Sequence, residues 1–347
     1  MKSRVQIQKN KVGEVEFRKK LALQFEDKAQ FFPGAPNATE FNQIIKDRVK
    51  NYKSYFKDLN KKKILKTPYL EIGGGVGQAA MLLENKYNLA GFTLDISLDT
   101  LLFGKKYLKL LKYKKMPIRI CADAYNLPFR SHSIPFIFCF ETLHHFPDPK
   151  PILKEINRVL APGGYFYFNE EPIAQSFNLN LWHRDYHLKW YEKILKSFLL
   201  LHFLSKIGKS EVKHNILEEA FFLSTWEKAL NVFEKVEAKV GFFPFKPTIK
   251  RNRQVNGGWL NPPKFFHFLI KFLGGGVEVL SQKKATFDKN NFKTSLVDFF
   301  ACPNCQTVLE KVSNGFICTR CKISFSDRDG VYIMLTRKQQ KKLYNDK

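Results

Sequence analysis

The 347-residue sequence has no apolar run long enough to cross a bilayer. Its longest aliphatic and aromatic stretch, Phe198 to Leu204, contains His202 and spans about 10 Å as a helix, against a hydrocarbon core of roughly 30 Å. The opening MKSRVQIQKNKVGEVEF lacks the apolar stretch of a signal peptide, so a cytoplasmic chain is expected, with its cysteines as thiols or metal ligands. There is no internal repeat. Acidic residues are few: 32 Asp and Glu face 58 Lys and Arg, a formal net charge of +26. The excess is uneven. Residues 1–66 carry 17 basic against 7 acidic, 67–172 carry 12 against 10, 173–300 carry 20 against 11, and 301–347 carry 9 against 4. Such a balance suits nucleic acid, an acidic membrane surface, or a lysine-rich composition that serves solubility alone.

What is present is 44% hydrophobic residues, enough for one large domain or a core domain with a smaller one. Residues 1–63 read as an N-terminal helical cap, with the turn stretch FFPGAPNATE inside it and Asn37 or Thr39 placed to cap a helix starting near Glu40. Across 64–172, β-rich runs alternate with helical stretches, the pattern of parallel strands joined by helices: ILKTPYLEIG, NLAGFTLDI, PIRICADA, IPFIFCFE and GGYFYFNEE. After Pro172, residues 178–230 read as helices, and two strand-like runs follow, VFEKVEAKVGFF and GVEVLSQKKATF. The layout predicts an α/β fold with a seven-stranded open sheet and helical insertions across 173–288. Residues 289–347 form a small cysteine-bearing module with a basic tail.

Residues 69–77 read YLEIGGGVG, a strand running into a glycine turn and then the helical stretch QAAMLLENK. That order aims backbone N–H groups and a helix N-terminus at a ligand. A dinucleotide loop wants G-x-G-x-x-G, and Gln78 stands where the third glycine would fall. Glu71, just before the glycines, would oppose a pyrophosphate and suits a ligand carrying an ammonium or sulfonium charge, such as S-adenosylmethionine. Asp95 closes the next strand, where an acid accepts ribose hydroxyls. Asp123 and Ala124 follow the third strand, where an acid and an adjacent N–H can read an adenine edge.

Together E-I-G-G-G-V-G, L-D-I, A-D-A, F-E-T-L-H-H-F and L-A-P-G-G-Y-F resemble a class I S-adenosylmethionine-dependent methyltransferase over about residues 64–172. The resemblance implies a Rossmann-like fold and a cofactor site lined by Glu71, Gly73, Gly75, Gly77, Asp95, Ile96, Asp123 and Ala124, with Glu141 near the methionine moiety. Pro135 stands where the family often has an acid, away from the pocket positions. Methyl transfer from a sulfonium is an in-line displacement that depends chiefly on positioning. A base is needed only for an acceptor that loses a proton, and His145, then His144, are the candidates; either could instead pack over the cofactor. Cys121 and Cys139 lie within strands and read as core.

Residues 302–321 read CPNCQTVLEKVSNGFICTRC. Two C-x2-C knuckles, Cys302 with Cys305 and Cys318 with Cys321, make a tetrahedral four-thiolate site of the kind zinc takes in structural ribbons, iron being the main rival. Four cysteines leave no open coordination position, so a structural metal is expected. Residues 296–336, closing on S-F-S-D-R-D-G-V-Y-I-M-L, resemble the small zinc-ribbon family that activates tRNA, rRNA and release-factor methyltransferases. In that family the ribbon is usually a separate subunit shielding an apolar surface of its enzyme. Here it is expected to pack on its own chain.

The acceptor is not legible. The ribbon's family points toward RNA or a translation component, and a binding module with a vestigial cofactor fold is the rival to an enzyme. The insertion WYEKILKSFLLLHFLSKIGK admits two readings: an apolar face packed on the sheet, which is the expectation, or peripheral membrane contact or capture of a lipid-linked glycan.

Overall fold

The computed structural model describes residues 4–24, 38–185, 187–252, 260–285 and 295–344. Asn37 and the end of the GVEVLSQKKATF run lie outside them. Two helices, α1 (Arg4–Gln24) and α2 (Ala38–Lys61), precede the first strand. The alternating part runs β1 (Tyr69–Ile72), α3 (Gln78–Lys86), β2 (Gly91–Asp95), α4 (Leu98–Leu110), β3 (Ile118–Cys121), β4 (Ile134–Phe140), α5 (Pro149–Val159) and β5 (Leu160–Ile173). Next come β6 (Trp182–Arg184), α6 (Trp190–Ser197), α7 (Leu201–Leu204), β7 (Ser205–Ile207), α8 (Lys209–Lys213) and α9 (Leu223–Leu230). They are followed by β8 (Lys235–Phe242), β9 (Ile249–Asn252), α10 (Lys264–Leu273) and β10 (Gly275–Gln282). The C-terminal part holds β11 (Glu310–Val312), β12 (Gly315–Cys318), β13 (Ile323–Arg328), β14 (Val331–Ile333) and α11 (Arg337–Tyr344).

Local chemistry explains the helix starts around the site. The Ser97 hydroxyl caps α4 by accepting from Thr100 N–H, and the Asp148 carboxylate caps α5 by accepting from Lys150 N–H, with Pro149 in the first turn. β1 is buried at all four positions, as a strand covered by helices on both faces must be.

Among the described residues the main sheet has 12 strands where seven were expected, in the order β11-β12-β13-β14-β3-β2-β1-β4-β5-β10-β8-β9. The seven expected strands are its middle, from β3 to β8. There β1 runs parallel to β2 and β4, and β10 runs antiparallel between β5 and β8. The extra strands arise because an open edge presents unpaired N–H and C=O groups. At one edge β14 pairs in parallel with β3, Val331 opposite Arg119 and Ile333 opposite Cys121, and draws the cysteine-bearing meander into the same sheet. At the other edge β9 pairs with β8. The segment leading into the cysteines also enters the main core: Phe300 is fully buried, its ring 5.6 Å from both Phe92 and Phe129.

The stretch 178–230, read as helices alone, includes the short parallel pair β6 and β7. Arg184 ties that pair together by donating to the carbonyls of Leu201 and Ser205 at 3.2 and 3.0 Å. Cys121 and Cys139 are fully buried core residues, as their strand positions imply.

Candidate functional site

In an open parallel sheet, ligands bind beyond the carboxyl ends of strands where the strand order reverses. Here β1 occupies that point, between β2 and β4, and a cavity of about 470 Å³ opens at its end. Gly73 and Gly75, both in left-handed conformations (φ 64° and 56°), form part of its wall. A Cβ on Gly73 would lie 2.4 Å from the Thr142 side chain, and one on Gly74 would lie 2.5 Å from the Glu71 carboxylate. Backbone without side chains therefore lets the turn pass between β4's loop and two buried polar groups. Gly77 is the N-cap of α3 at φ 81° and does not line the cavity.

Glu71 lines the cavity almost wholly shielded from solvent, accepting from the Thr93 hydroxyl at 2.7 Å. Burial pushes its carboxyl up to about 8 despite that bond. Asp95 accepts the N–H groups of Gly75 and Ser97, each at 2.9 Å, and burial raises its carboxyl too. Ile96 stands beside it on the wall. Asp123 Oδ1 accepts from Tyr125 N–H at 3.1 Å, while its Oδ2 takes Gln339 Nε2 at 3.0 Å and the Lys11 ammonium. Ala124 adjoins it, and Glu141, at φ 47°, pairs with Arg48 at 2.6 Å.

The two histidines differ. His144 Nδ1 lies 2.9 Å from Glu171, a fully buried carboxylate that also accepts the N–H groups of Thr142, Leu143 and His144. Burial would raise Glu171 and lower His144, but their mutual attraction outweighs it, so Glu171 is lowered and His144 raised. The pairing favours the protonated form of His144. His145 Nδ1 lies 2.9 Å from the Leu217 carbonyl, and donating there leaves Nε2 as the basic nitrogen. The Glu218 carboxylate sits 3.5 Å from His145 Nδ1 and 3.8 Å from His144 Nε2, and burial pushes it up to about 7.

Sequence reading missed the residues that α1 and α2 contribute: Asn10, Lys11, Glu14 and Arg18 from the first, Arg48 and Tyr52 from the second, all on the cavity wall. The helices were visible in the spacing, but no motif marks which of their polar positions face a pocket. Glu171 and Glu218 were missed for the same reason.

Two donor groups among the described residues have ligand atoms mutually within 4.8 Å: the four cysteines, and His144, His145 and Glu218. Nδ1 of each histidine in the second group is already bonded to protein, which fixes the two rings and leaves their Nε2 atoms as the nitrogens open to a proton or a ligand. In the first, Cys305 Sγ and Cys318 Sγ lie 3.4 Å apart. Thiolates bonded at about 2.3 Å to one tetrahedral zinc stand about 3.8 Å from each other, so the quartet fits such an ion with small adjustment.

Residues 70–168 match the family model described as a methyltransferase domain. The chain is 25% identical over 159 residues to a malonyl-[acyl-carrier protein] O-methyltransferase from Marinomonas sp., covering 46% of this chain and 54% of that protein. It is 30% identical over 116 residues to a fatty-acid O-methyltransferase from Mycolicibacterium smegmatis, covering 33% of this chain and 40% of that protein. Among solved structures it is similar to a chain of the complex between the Haloferax volcanii Trm112 methyltransferase activator and a methyltransferase. There the identity is 16% and the TM-score 0.38, over 71% of this chain and 98% of that one. The chain spans about half the length, or less, of these two curated relatives. The family match runs from β1 through the glycine turn and into β5.

Proposed function

We propose that the chain is a class I S-adenosylmethionine-dependent methyltransferase acting on a lipid-linked acceptor, with a structural zinc held by Cys302, Cys305, Cys318 and Cys321. The observation that carries the reading is the convergence of Glu71, Gly73, Asp95 and Asp123 from three strand ends on one cavity. Glu14 Oε2 and Gln78 Oε1 add to it. Both are buried without a hydrogen-bond partner among the described residues, both residues line the cavity, and a ligand bringing N–H donors would satisfy them. The acidic wall suits a cationic cofactor and disfavours a pyrophosphate.

The bound cofactor would supply the electrophilic methyl group. Asp95 would accept the ribose hydroxyls, Glu71 would face the cationic portion, and Asp123 would share Oδ2 between an adenine amino group and its present donors. For an acceptor that loses a proton, His145 Nε2 is the receiving atom, with Glu218 beside it to balance the resulting charge. Zinc, closed off by four thiolates, has no part in the transfer. The acceptor class is supported by the acyl compounds in the relatives' names.

Calorimetry with S-adenosylmethionine and with NAD tests the cofactor: binding of the first alone is expected. Asp95→Ala should weaken it by about 1–3 kcal/mol, the cost of leaving polar partners unpaired in a closed site. Labelled cofactor incubated with fractionated lipid, RNA and protein tests the acceptor; label in the RNA fraction would overturn the lipid-linked reading.

A further inference from the structure

The insertion WYEKILKSFLLLHFLSKIGK was expected to bury its apolar face on the sheet, and it does not. Trp190 is 75% exposed, Phe198 71% and Ile194 50%. On α10, Phe265 and Phe268 are 68% and 62% exposed. The two regions form one surface: Phe177 stacks on Phe272 at 6.0 Å, the Phe203 ring of α7 lies 5.8 Å from Phe272, and His202 bonds to the Leu273 carbonyl. Apolar area of this extent on the outside of a chain marks an interaction site.

The exposed charge on its two helices has one sign. Lys189, Lys193 and Lys196 at α6, and Lys264 and Lys271 on α10, are exposed. The single acid of α6, Glu192, is buried and accepts from Trp182 Nε1 at 3.0 Å, while α10 has none. The surface also reaches the methyltransferase cavity. Ile207 lines that cavity and also a smaller one of about 140 Å³ that includes Leu199, His202 and Phe243.

We propose that this face docks on an anionic lipid membrane. The aromatic and aliphatic side chains enter the interface, the lysines meet lipid phosphates, and Ile207 marks the passage from the membrane to the cavity. Among the described residues no helix is long and apolar enough to cross a membrane, so the contact is interfacial. A second copy of the chain fits poorly as occupant, because a two-fold contact would set these lysines against one another. Docking itself does not depend on the methyltransferase reading; only the passage at Ile207 does.

The test is co-sedimentation of the full chain with phosphatidylcholine vesicles, with and without phosphatidylglycerol, alongside light scattering and S-adenosylmethionine calorimetry. Binding to the anionic vesicles is expected, weakened by salt and slight on phosphatidylcholine alone. The double variant Phe265→Ser, Phe268→Ser should lower the partition constant on the order of a hundredfold or more, since two aromatic rings no longer enter the apolar interface. Lys264→Glu, Lys271→Glu should abolish the preference for anionic lipid. Both variants should keep the wild-type affinity for the cofactor, which separates docking from folding and from the cofactor reading. The proposal falls if the wild type fails to bind anionic vesicles, if either variant binds them as well as the wild type, or if scattering finds a dimer that the phenylalanine variant dissolves.

Discussion

Gln339 donates through Nε2 to Asp123 Oδ2 at 3.0 Å, joining the last helix to the end of β3 across 216 residues of sequence. In the same helix Tyr344 donates to the Ile96 carbonyl at 2.6 Å and accepts from Leu98 N–H at 2.8 Å. The chain that leaves the cysteine module through β14 therefore ends on two strand ends of the cavity. The helix that follows the cysteine module, α11, thus touches the site directly.

Replacing Cys318 with serine is expected to abolish metal content and loosen residues 302–333, because a small meander has too little core to stand without its ion. The melting temperature should fall, since Phe300 anchors that segment in the main core. Metal analysis, calorimetry and hydrogen exchange on one preparation decide it: a variant that keeps full metal content removes Cys318 from the site. Gln339→Ala, with metal retained, should cost about 1 kcal/mol in denaturation.

Glu71 titrates at about 8 in the folded chain, against an ordinary value of 4.5. Between those values the folded state holds a proton that the unfolded state has released. Its contribution therefore weakens stability as pH rises, by up to about 1.4 kcal/mol per pH unit, and levels off above about pH 8. Denaturation midpoints across that range should show the slope in wild type and a reduced slope in Glu71→Gln. A cationic cofactor favours the carboxylate, so its binding should release a proton, detectable by calorimetry in buffers of different ionisation enthalpy.

His144 and Glu171 form the buried ion pair of the site. His144, raised by Glu171, contributes stability that is complete below its ordinary value of about 6.5 and is lost as pH rises through the higher folded value. Glu171, lowered, contributes stability that is present above its ordinary value of 4.5 and lost as pH falls through the lower folded one. In Glu171→Gln the His144 titration, followed by NMR, should move down, and stability should fall by about 3–5 kcal/mol, the cost of breaking a buried pair. An unmoved titration would remove Glu171 as the cause.

Gly73→Ala places a Cβ 2.4 Å from the Thr142 side chain at a φ of 64°. The substitution should destabilise the chain by about 1–3 kcal/mol and weaken cofactor binding, because the turn must move to relieve the contact. Gly163→Ala, also at positive φ but with its nearest neighbour 3.7 Å away, should leave cofactor affinity unchanged.

The alternating strands and helices of residues 64–172, the glycine turn and the paired cysteines were legible because each is a local pattern. A buried strand must be apolar, a positive-φ turn wants glycine, and two C-x2-C knuckles have one characteristic use. Those short-range rules were enough to set the order of elements and the cofactor class to be expected. Three things required the folded chain. Strand β14 extends the sheet because the free edge of β3 lies beside it, a neighbour relation with no local signature. Lys11, Arg48 and Glu218 join the cavity because α1, α2 and the segment between α8 and α9 close over it, and Glu171 acts on it from within β5 through the His144 side chain it holds. And the aromatic residues of α6 and most of those of α10 face solvent, with Ile270 of α10 in the core, since periodicity records that a helix has an apolar side but not what stands opposite it.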